Sequence, residues 1–417
     1  MLRFMEQVLG FWKTCPEGLD LTNENHLDQV RTLADSIQAG NPSARSLREW
    51  ETEICKDKDA LPLMAHLAVK LALSKTILRE IKEPVHVSVV FAAYKEHNRI
   101  RRKAEHEHGE DFLNRKISQL NWLCRDFPDK TWDLRMVDDG CPENSGAIAE
   151  EILAQAEGEV DADVLYLQKA IDKKLPITGT MQSASESQKG GSIQYGMWEA
   201  TQRIRSENHL IVFTDADLST HLGQIGLLVD GIINHGKLAA IGSRREPASI
   251  VVKKGVRNIR GKLFIYLWKR IITNLNYIVD TQCGFKAFRA ETIGRILDDL
   301  IERKFAFDVE LLLKTELLEP NSIAKTAVAW IDSETASTTT SIGPYLSMLK
   351  ALVKMYRRYL PANPSAEAFA KFIESLSEEK WQSIVTNIPT EIADRDPSEF
   401  AEYSGVGVDR LKEALQD

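Results

Sequence analysis

From Pro84 onward the sequence alternates short apolar runs with stretches of helical periodicity, and few folds accept that pattern. Val85–Phe91, Trp132–Val137, Val164–Leu167, Leu210–Thr214 and Leu238–Ile241 each have the length and apolar character of a buried strand. Runs of that kind joined by helices predict an α/β sheet that offers ligands the carboxyl ends of its strands. Ahead of Pro84, residues 1–83 are rich in Leu, Glu, Lys and Arg. The spacing of Leu61, Met64, Ala65, Leu67, Ala68 and Leu71 is helical. Residues 361–417 read as a small acidic helical unit. The expected division is therefore a helical region over 1–83, an α/β domain over 84–345, and an amphipathic helix with an acidic helical region over 346–417.

A chain of 417 residues fits two or three such units. With 43% hydrophobic and 27% charged residues it has the material for a large core. A net charge of −8 speaks against general nucleic-acid binding. The charge is unevenly spread: nine Lys/Arg against Glu246 alone lie between Arg244 and Arg270, which suggests an anionic ligand near the middle of the chain. The five cysteines are scattered, without CxxC or zinc-like spacing, as expected in a reducing cytosol. No signal-peptide pattern opens the chain, and no stretch reaches the roughly 18–20 apolar residues of a membrane span. The expectation is a cytoplasmic protein with at most peripheral contact at the inner face of a membrane.

Chemistry concentrates where apolar runs end. Residues 211–221 read Ile-Val-Phe-Thr-Asp-Ala-Asp-Leu-Ser-Thr-His. Alternate residues of an extended chain share a side, so Asp215 and Asp217 would present two hard oxygen ligands together. That suits Mg²⁺ or Mn²⁺ carrying a diphosphate; a helix N-cap is the plainer use of one of them. The first strand runs into Ala92-Ala93-Tyr94-Lys95-Glu96 and the second into Val137-Asp138-Asp139-Gly140. Acids there could accept from a ribose or a base N–H, although Asp-Asp-Gly is equally a plain turn. Lys189-Gly190-Gly191 opens a helical pattern where free N–H groups favour phosphate, with an ordinary helix start as the blander reading. Asp280-Thr281-Gln282-Cys283-Gly284-Phe285-Lys286 lies between two helical patterns. Phe307-Asp308-Val309-Glu310 starts a further helix, whose acids suit its dipole.

Taken in order, these motifs, with Ile241-Gly242-Ser243-Arg244 between them, resemble the family 2 glycosyltransferases over about residues 85–345. The closest resemblance is to the dolichyl-phosphate glucosyltransferase and polyprenyl-phosphate glycosyltransferase branch. It implies a GT-A (Rossmann-like) nucleotide-diphospho-sugar transferase core with helical N- and C-terminal additions. It also implies a UDP- or GDP-sugar donor, a Mg²⁺ or Mn²⁺ ion on Asp215 and Asp217, and a set of site residues. The donor would meet Ala93, Tyr94, Glu96, Asp138, Asp139, Lys189, Asp215 and Arg244. The acceptor would meet Arg257, Gln282 and Lys286, and Asp280, Asp308 and Lys286 are the catalytic candidates. Ser219 stands where some relatives supply a further ligand. Ala92 and Lys95 depart from the proline and asparagine usual in the first motif, and residues 101–130 and 172–188 are extra.

The acceptor is left with two readings. A polyprenyl phosphate is already anionic and needs no general base; a soluble hydroxyl acceptor needs one, with Asp280 and Asp308 as candidates. Tyr345–Leu360 is amphipathic and basic, fit either to lie in a bilayer interface or to pack in the core. Asp-Ala-Asp-Leu-Ser also superficially matches the aspartyl-nucleophile phosphatases, but that motif normally opens a domain. The oligomeric state is not legible.

Overall fold

A computed structural model describes residues 15–16, 18–156, 160–252, 258–332 and 343–415. Its centre is a seven-stranded sheet in the order β3-β2-β1-β4-β7-β5-β8. The strands are β1 (Val85–Ala93), β2 (Lys130–Asp138), β3 (Ala162–Tyr166), β4 (Asn208–Thr214), β5 (Ala239–Ser243), β6 (Ile250–Val252), β7 (Phe285–Arg289), β8 (Ile323–Ala327) and β9 (Ala329–Ile331). Strands β6 and β9 form a separate parallel pair. The α/β class expected from the alternating pattern is what the chain adopts, and the five apolar runs correspond to β1 to β5.

Strand β1 is buried along almost its whole length, as a central parallel strand must be. Its side chains alternate between two cores. Val89 and Phe91 face the helices Glu24–Ala39, Leu63–Glu80, Phe112–Cys124 and Ile225–Ile233. Val90, with Val137, Ile211 and Phe213, faces the helices Gly190–Thr201, Phe307–Leu318, Gly343–Tyr359 and Pro364–Glu374.

Register sets the site. Ala93 pairs with Asp138 and Phe91 with Thr214, so β1, β2 and β4 end together at one edge of the sheet. The sequence reading missed β7, which runs antiparallel between β4 and β5. Because Phe285 pairs with Thr214, residues 280–284 enter the sheet beside the end of β4. A strand of opposite direction thus delivers a second loop to the same edge.

The terminal regions are not loosely attached. Leu63–Glu80 is buried nearly all round, and its Lys70 ammonium reaches Glu51 (2.6 Å) and the Ala327 carbonyl (3.2 Å). Phe369, Trp381, Ile392 and Phe400 join the core that contains Phe213. The Tyr266 hydroxyl donates to the Val406 carbonyl at 2.8 Å. The limit expected at 345/346 falls inside the helix Gly343–Tyr359. Of the two readings of that helix, core packing holds: Leu346, Leu349, Leu352, Val353 and Met355 are buried, and Arg357 pairs with Glu367 and Glu374. The stretch 172–188 is also more than a surface loop, since Ile177, Met181 and Ala184 enter the core. Among the described residues no helix is long and apolar enough to cross a membrane.

Candidate active site

The loop after β4 is held rigidly before any ligand is considered. The Asp217 carboxylate accepts the Ser219 N–H at 3.0 Å. From the helix Phe112–Cys124, Lys116 donates to the carbonyls of Asp215 (3.0 Å) and Asp217 (2.8 Å). Desolvation lowers the Lys116 ammonium to about 8 against the pull of the two acids. A Cβ at Gly284 would overlap the Asp215 carboxylate, so the glycine of the 280–286 motif is what lets the two loops meet.

Charges at this edge are matched unequally. The Lys189 ammonium pairs with Asp215. Burial would raise the Asp215 carboxyl, but Lys189, with Lys286 and Lys116 farther off, holds it below the usual range. Asp217 is pushed up, first by desolvation and then by the neighbouring Asp215 charge. Two adjacent carboxylates, one of them unfavourably charged, form a place that gains from a cation.

Asp139 fixes the base of Lys189: its carboxylate accepts the Lys189 N–H (2.9 Å) and the Ser192 hydroxyl (2.7 Å). Asp138 points the other way and accepts three backbone N–H groups, from Gly140, Cys141 and Gly146, each at 3.0 Å. Asp138 therefore shapes the turn, and it is absent from the side chains that line the cavity described below. The helix Gly190–Thr201 does not present an open N-terminus, because the Gly191 N–H donates to the Arg303 carbonyl at 2.9 Å.

On the opposite wall, Asp280 binds Arg244 through the backbone N–H, Nε and Nη2, each at 2.8 Å. Burial alone would raise the Asp280 carboxyl; Arg244 overrides it and holds it far below the ordinary range. A carboxylate so occupied is a poor base, and its role is to aim Arg244, which lies 5.3 Å from the Trp330 ring. Asp308 accepts from Lys286 (3.1 Å) and Gln282 (3.0 Å), and burial raises its carboxyl despite Lys286. Lys286 is fully buried, also donates to the Cys283 carbonyl at 2.6 Å, and positions Asp308 from behind. The sequence reading put Lys286 at the acceptor; in the structure its side chain is buried and absent from the cavity lining.

These groups surround a cavity of about 680 Å³. Tyr94, Glu96, Asp139, Lys189, Asp215, Asp217, Arg244, Gln282 and Asp308 line it. Ala93, Asp138 and Lys286 lie behind its wall, and Arg257 falls outside the described residues. Sequence reasoning missed Arg99, which pairs with Glu96 (2.9 Å) and Glu110 (3.0 Å) in the wall, along with Trp330 and Lys116. A signal for Lys116 existed: it occupies the apolar stripe Phe112, Leu113, Lys116, Ile117, Leu120, where a solvent-facing lysine does not belong. A larger cleft of about 1330 Å³ adjoins the cavity through Ser185, Phe305 and Met348 and carries none of the paired acids.

Among the described residues no group of three or more His, Cys, Asp or Glu converges on a cation site. Two carboxylates are nevertheless a fitting set for Mg²⁺, which is commonly held by one or two carboxylates with the rest of its shell from water and substrate phosphates. The Ser219 hydroxyl is buried without a hydrogen-bond partner among the described residues.

No family model matches the chain. It is 27% identical to the dolichyl-phosphate β-glucosyltransferase of Homo sapiens over 282 residues, covering 66% of this chain and 76% of that protein. The Dictyostelium discoideum dolichyl-phosphate β-glucosyltransferase is 26% identical over 294 residues, 68% of this chain and 78% of that one. Among solved structures, a Mycobacterium tuberculosis glucosyl-3-phosphoglycerate synthase crystallised with Mn²⁺, UDP-glucose and phosphoglyceric acid aligns with a TM-score of 0.47. That alignment has 15% identity and covers 70% of this chain and 85% of that one.

Proposed function

We propose, from the premise that this chain is a glycosyltransferase with a GT-A core akin to the dolichyl-phosphate glucosyltransferase branch, that it transfers a sugar from a nucleoside-diphosphate donor to a polyprenyl phosphate. The observation that carries the proposal is the convergence of Asp215, Asp217, Lys189 and Arg244 on one cavity at the carboxyl edge of the sheet. Two acids and two cations on facing walls suit a diphosphate with its counter-ion. UDP- and GDP-sugars both fit that description.

In this reading Asp215 and Asp217 would hold Mg²⁺ or Mn²⁺, which would supply Lewis-acid stabilisation to the departing nucleoside diphosphate. Lys189 and the Asp280-aimed Arg244 contribute charge-assisted hydrogen bonds to its phosphates. Asp139 and Tyr94 flank the nucleoside end. The acceptor enters from the adjoining cleft, and its phosphate oxygen, already anionic, attacks the anomeric carbon directly. Contact with a membrane would then be peripheral.

Two observations favour the alternative of a soluble hydroxyl acceptor. The apolar face of Gly343–Tyr359 is spent on the core, and Asp308 stands at the cavity with a raised carboxyl pKa suited to a general base. The test is incubation with labelled UDP-glucose or GDP-mannose, Mn²⁺ and dolichyl phosphate. An organic-extractable, acid-labile product is expected. Transfer that proceeds undiminished with the lipid phosphate withheld would overturn the polyprenyl acceptor in favour of the soluble one.

A further inference from the structure

Lys189 is held at both ends in an unusual way. Its backbone lies in the left-handed region at φ +87°, a conformation that side-chain-bearing residues rarely adopt. It is fixed there by the Lys189 N–H on Asp139 and by the Lys189 carbonyl, which accepts the Ile193 N–H at 3.0 Å. The flanking Gln188 and Gly191 N–H groups both donate to the Arg303 carbonyl, at 3.2 and 2.9 Å. The Cα is therefore anchored, and only the four-carbon stem is free to turn.

Asp215 is anchored as well. Lys116 grips its carbonyl, and Gly284 closes the space behind its carboxylate. The ammonium of Lys189 sits on Oδ1 of that carboxylate, one of the few oxygens at this edge suited to a divalent cation. Among the described residues, the other cations in the wall each hold acids of their own, Arg99 pairing with Glu96 and Glu110 and Arg244 with Asp280 through Nε and Nη2.

We infer that Lys189 is an exchange latch that couples cation binding to donor binding. This rests on the nucleotide-sugar reading above. An ammonium and a divalent cation on one carboxylate oxygen repel each other, so the lysine opposes a bare cation at Asp215. A diphosphate offers the ammonium a new anionic partner within reach of its stem, and Asp215 is released to the cation. The two ligands then favour one another by the same factor in either order of addition, as linkage requires. Lys189 thereby discourages occupation of the site by a cation that arrives without donor.

The test is a Mn²⁺ titration followed by the electron paramagnetic resonance of the free ion, with and without UDP, on the full chain and on Lys189→Met and Lys189→Arg. For Lys189→Met, Mn²⁺ alone should bind about tenfold or more tighter than in the parent protein, UDP should bind more weakly, and the factor by which UDP tightens Mn²⁺ should shrink. Lys189→Arg, which keeps the charge, should retain the parent's weak binding of Mn²⁺ alone. Circular dichroism of each variant establishes that the fold is kept. A folded Lys189→Met with unchanged or weaker affinity for Mn²⁺ alone overturns the latch while leaving the donor reading intact. A parent protein that binds neither UDP nor Mn²⁺ overturns both.

Discussion

Strands β1, β2 and β4 carry polar groups at two levels, and the two are treated oppositely. Toward their amino ends, Asp133 accepts from His86 at 2.9 Å and from Ser88 at 3.0 Å, and Ser88 also meets the His209 ring at 2.8 Å. All four side chains are buried. At the carboxyl edge, Asp215 and Asp217 stand side by side in a cavity wall. Burial would raise the Asp133 carboxyl, yet the His86 hydrogen bond and the Arg135 charge bring it below its ordinary range. Asp217, by contrast, is left above its ordinary range. An acid kept for the fold has its charge answered by the fold. Asp217 is left with part of its charge unanswered while Lys189 answers Asp215, and that deficit is what a ligand supplies.

The comparison is most severely tested by removing one acid from each level. Asp133→Ala removes the acceptor that His86 and Ser88 share, while Arg135 keeps Asp161 (3.1 Å) and Asp163 (3.3 Å), and should cost roughly 1–3 kcal/mol of stability. Measured by denaturant unfolding, a loss below about 1 kcal/mol would mean that the inner cluster is incidental. Transfer activity per folded molecule should be unchanged. Asp217→Asn should do the reverse. The amide oxygen can still accept the Ser219 N–H, and repulsion of Asp215 is relieved, so the unfolding midpoint should hold or rise. Turnover should nonetheless fall about a hundredfold or more, the scale of losing one preorganised charge in an active site. Retained turnover would remove Asp217 from the site.

Much of this contrast was legible in the sequence, because strand ends announce themselves: Asp215 and Asp217 follow an apolar run, and the run fixes where they emerge. What could not be read was which of two neighbouring acids faces the cavity. Asp138 and Asp139 look interchangeable in sequence, but successive residues of a strand point opposite ways, and only the pairing of Ala93 with Asp138 settles which is spent on backbone. Strand β7 was hidden for another reason. Phe-Lys-Ala-Phe-Arg is too short and too charged to resemble a core strand, and Lys286 is tolerated there only because Asp308 and the Cys283 carbonyl wait behind the sheet. The helix Gly343–Tyr359 has one apolar face whether it meets lipid or protein. Residues after Pro361, beginning with the next helix Pro364–Glu374, decide the matter by packing in the same core.

The finest test is the pH dependence of stability, where the two levels should act with opposite signs. His209 is pushed down to about 4, first by burial and then by the nearby His86. Above the ordinary histidine pKa of about 6.5 it is neutral in both the folded and the unfolded chain, and its contribution is fully in place. As pH falls from there toward 4, the unfolded chain takes a proton that the folded one refuses, so stability is lost across that window and then levels off. Asp217, with its raised carboxyl, runs the other way. The folded chain holds its proton at pH values where the unfolded chain has released one, so acidification through that range adds stability. Unfolding midpoints measured from pH 7 to pH 4 should therefore fall less steeply in His209→Gln than in the parent, and more steeply in Asp217→Asn. Parallel slopes in the three proteins would show that the two levels are electrostatically alike, and the distinction between an acid held for the fold and one held for a ligand would fail.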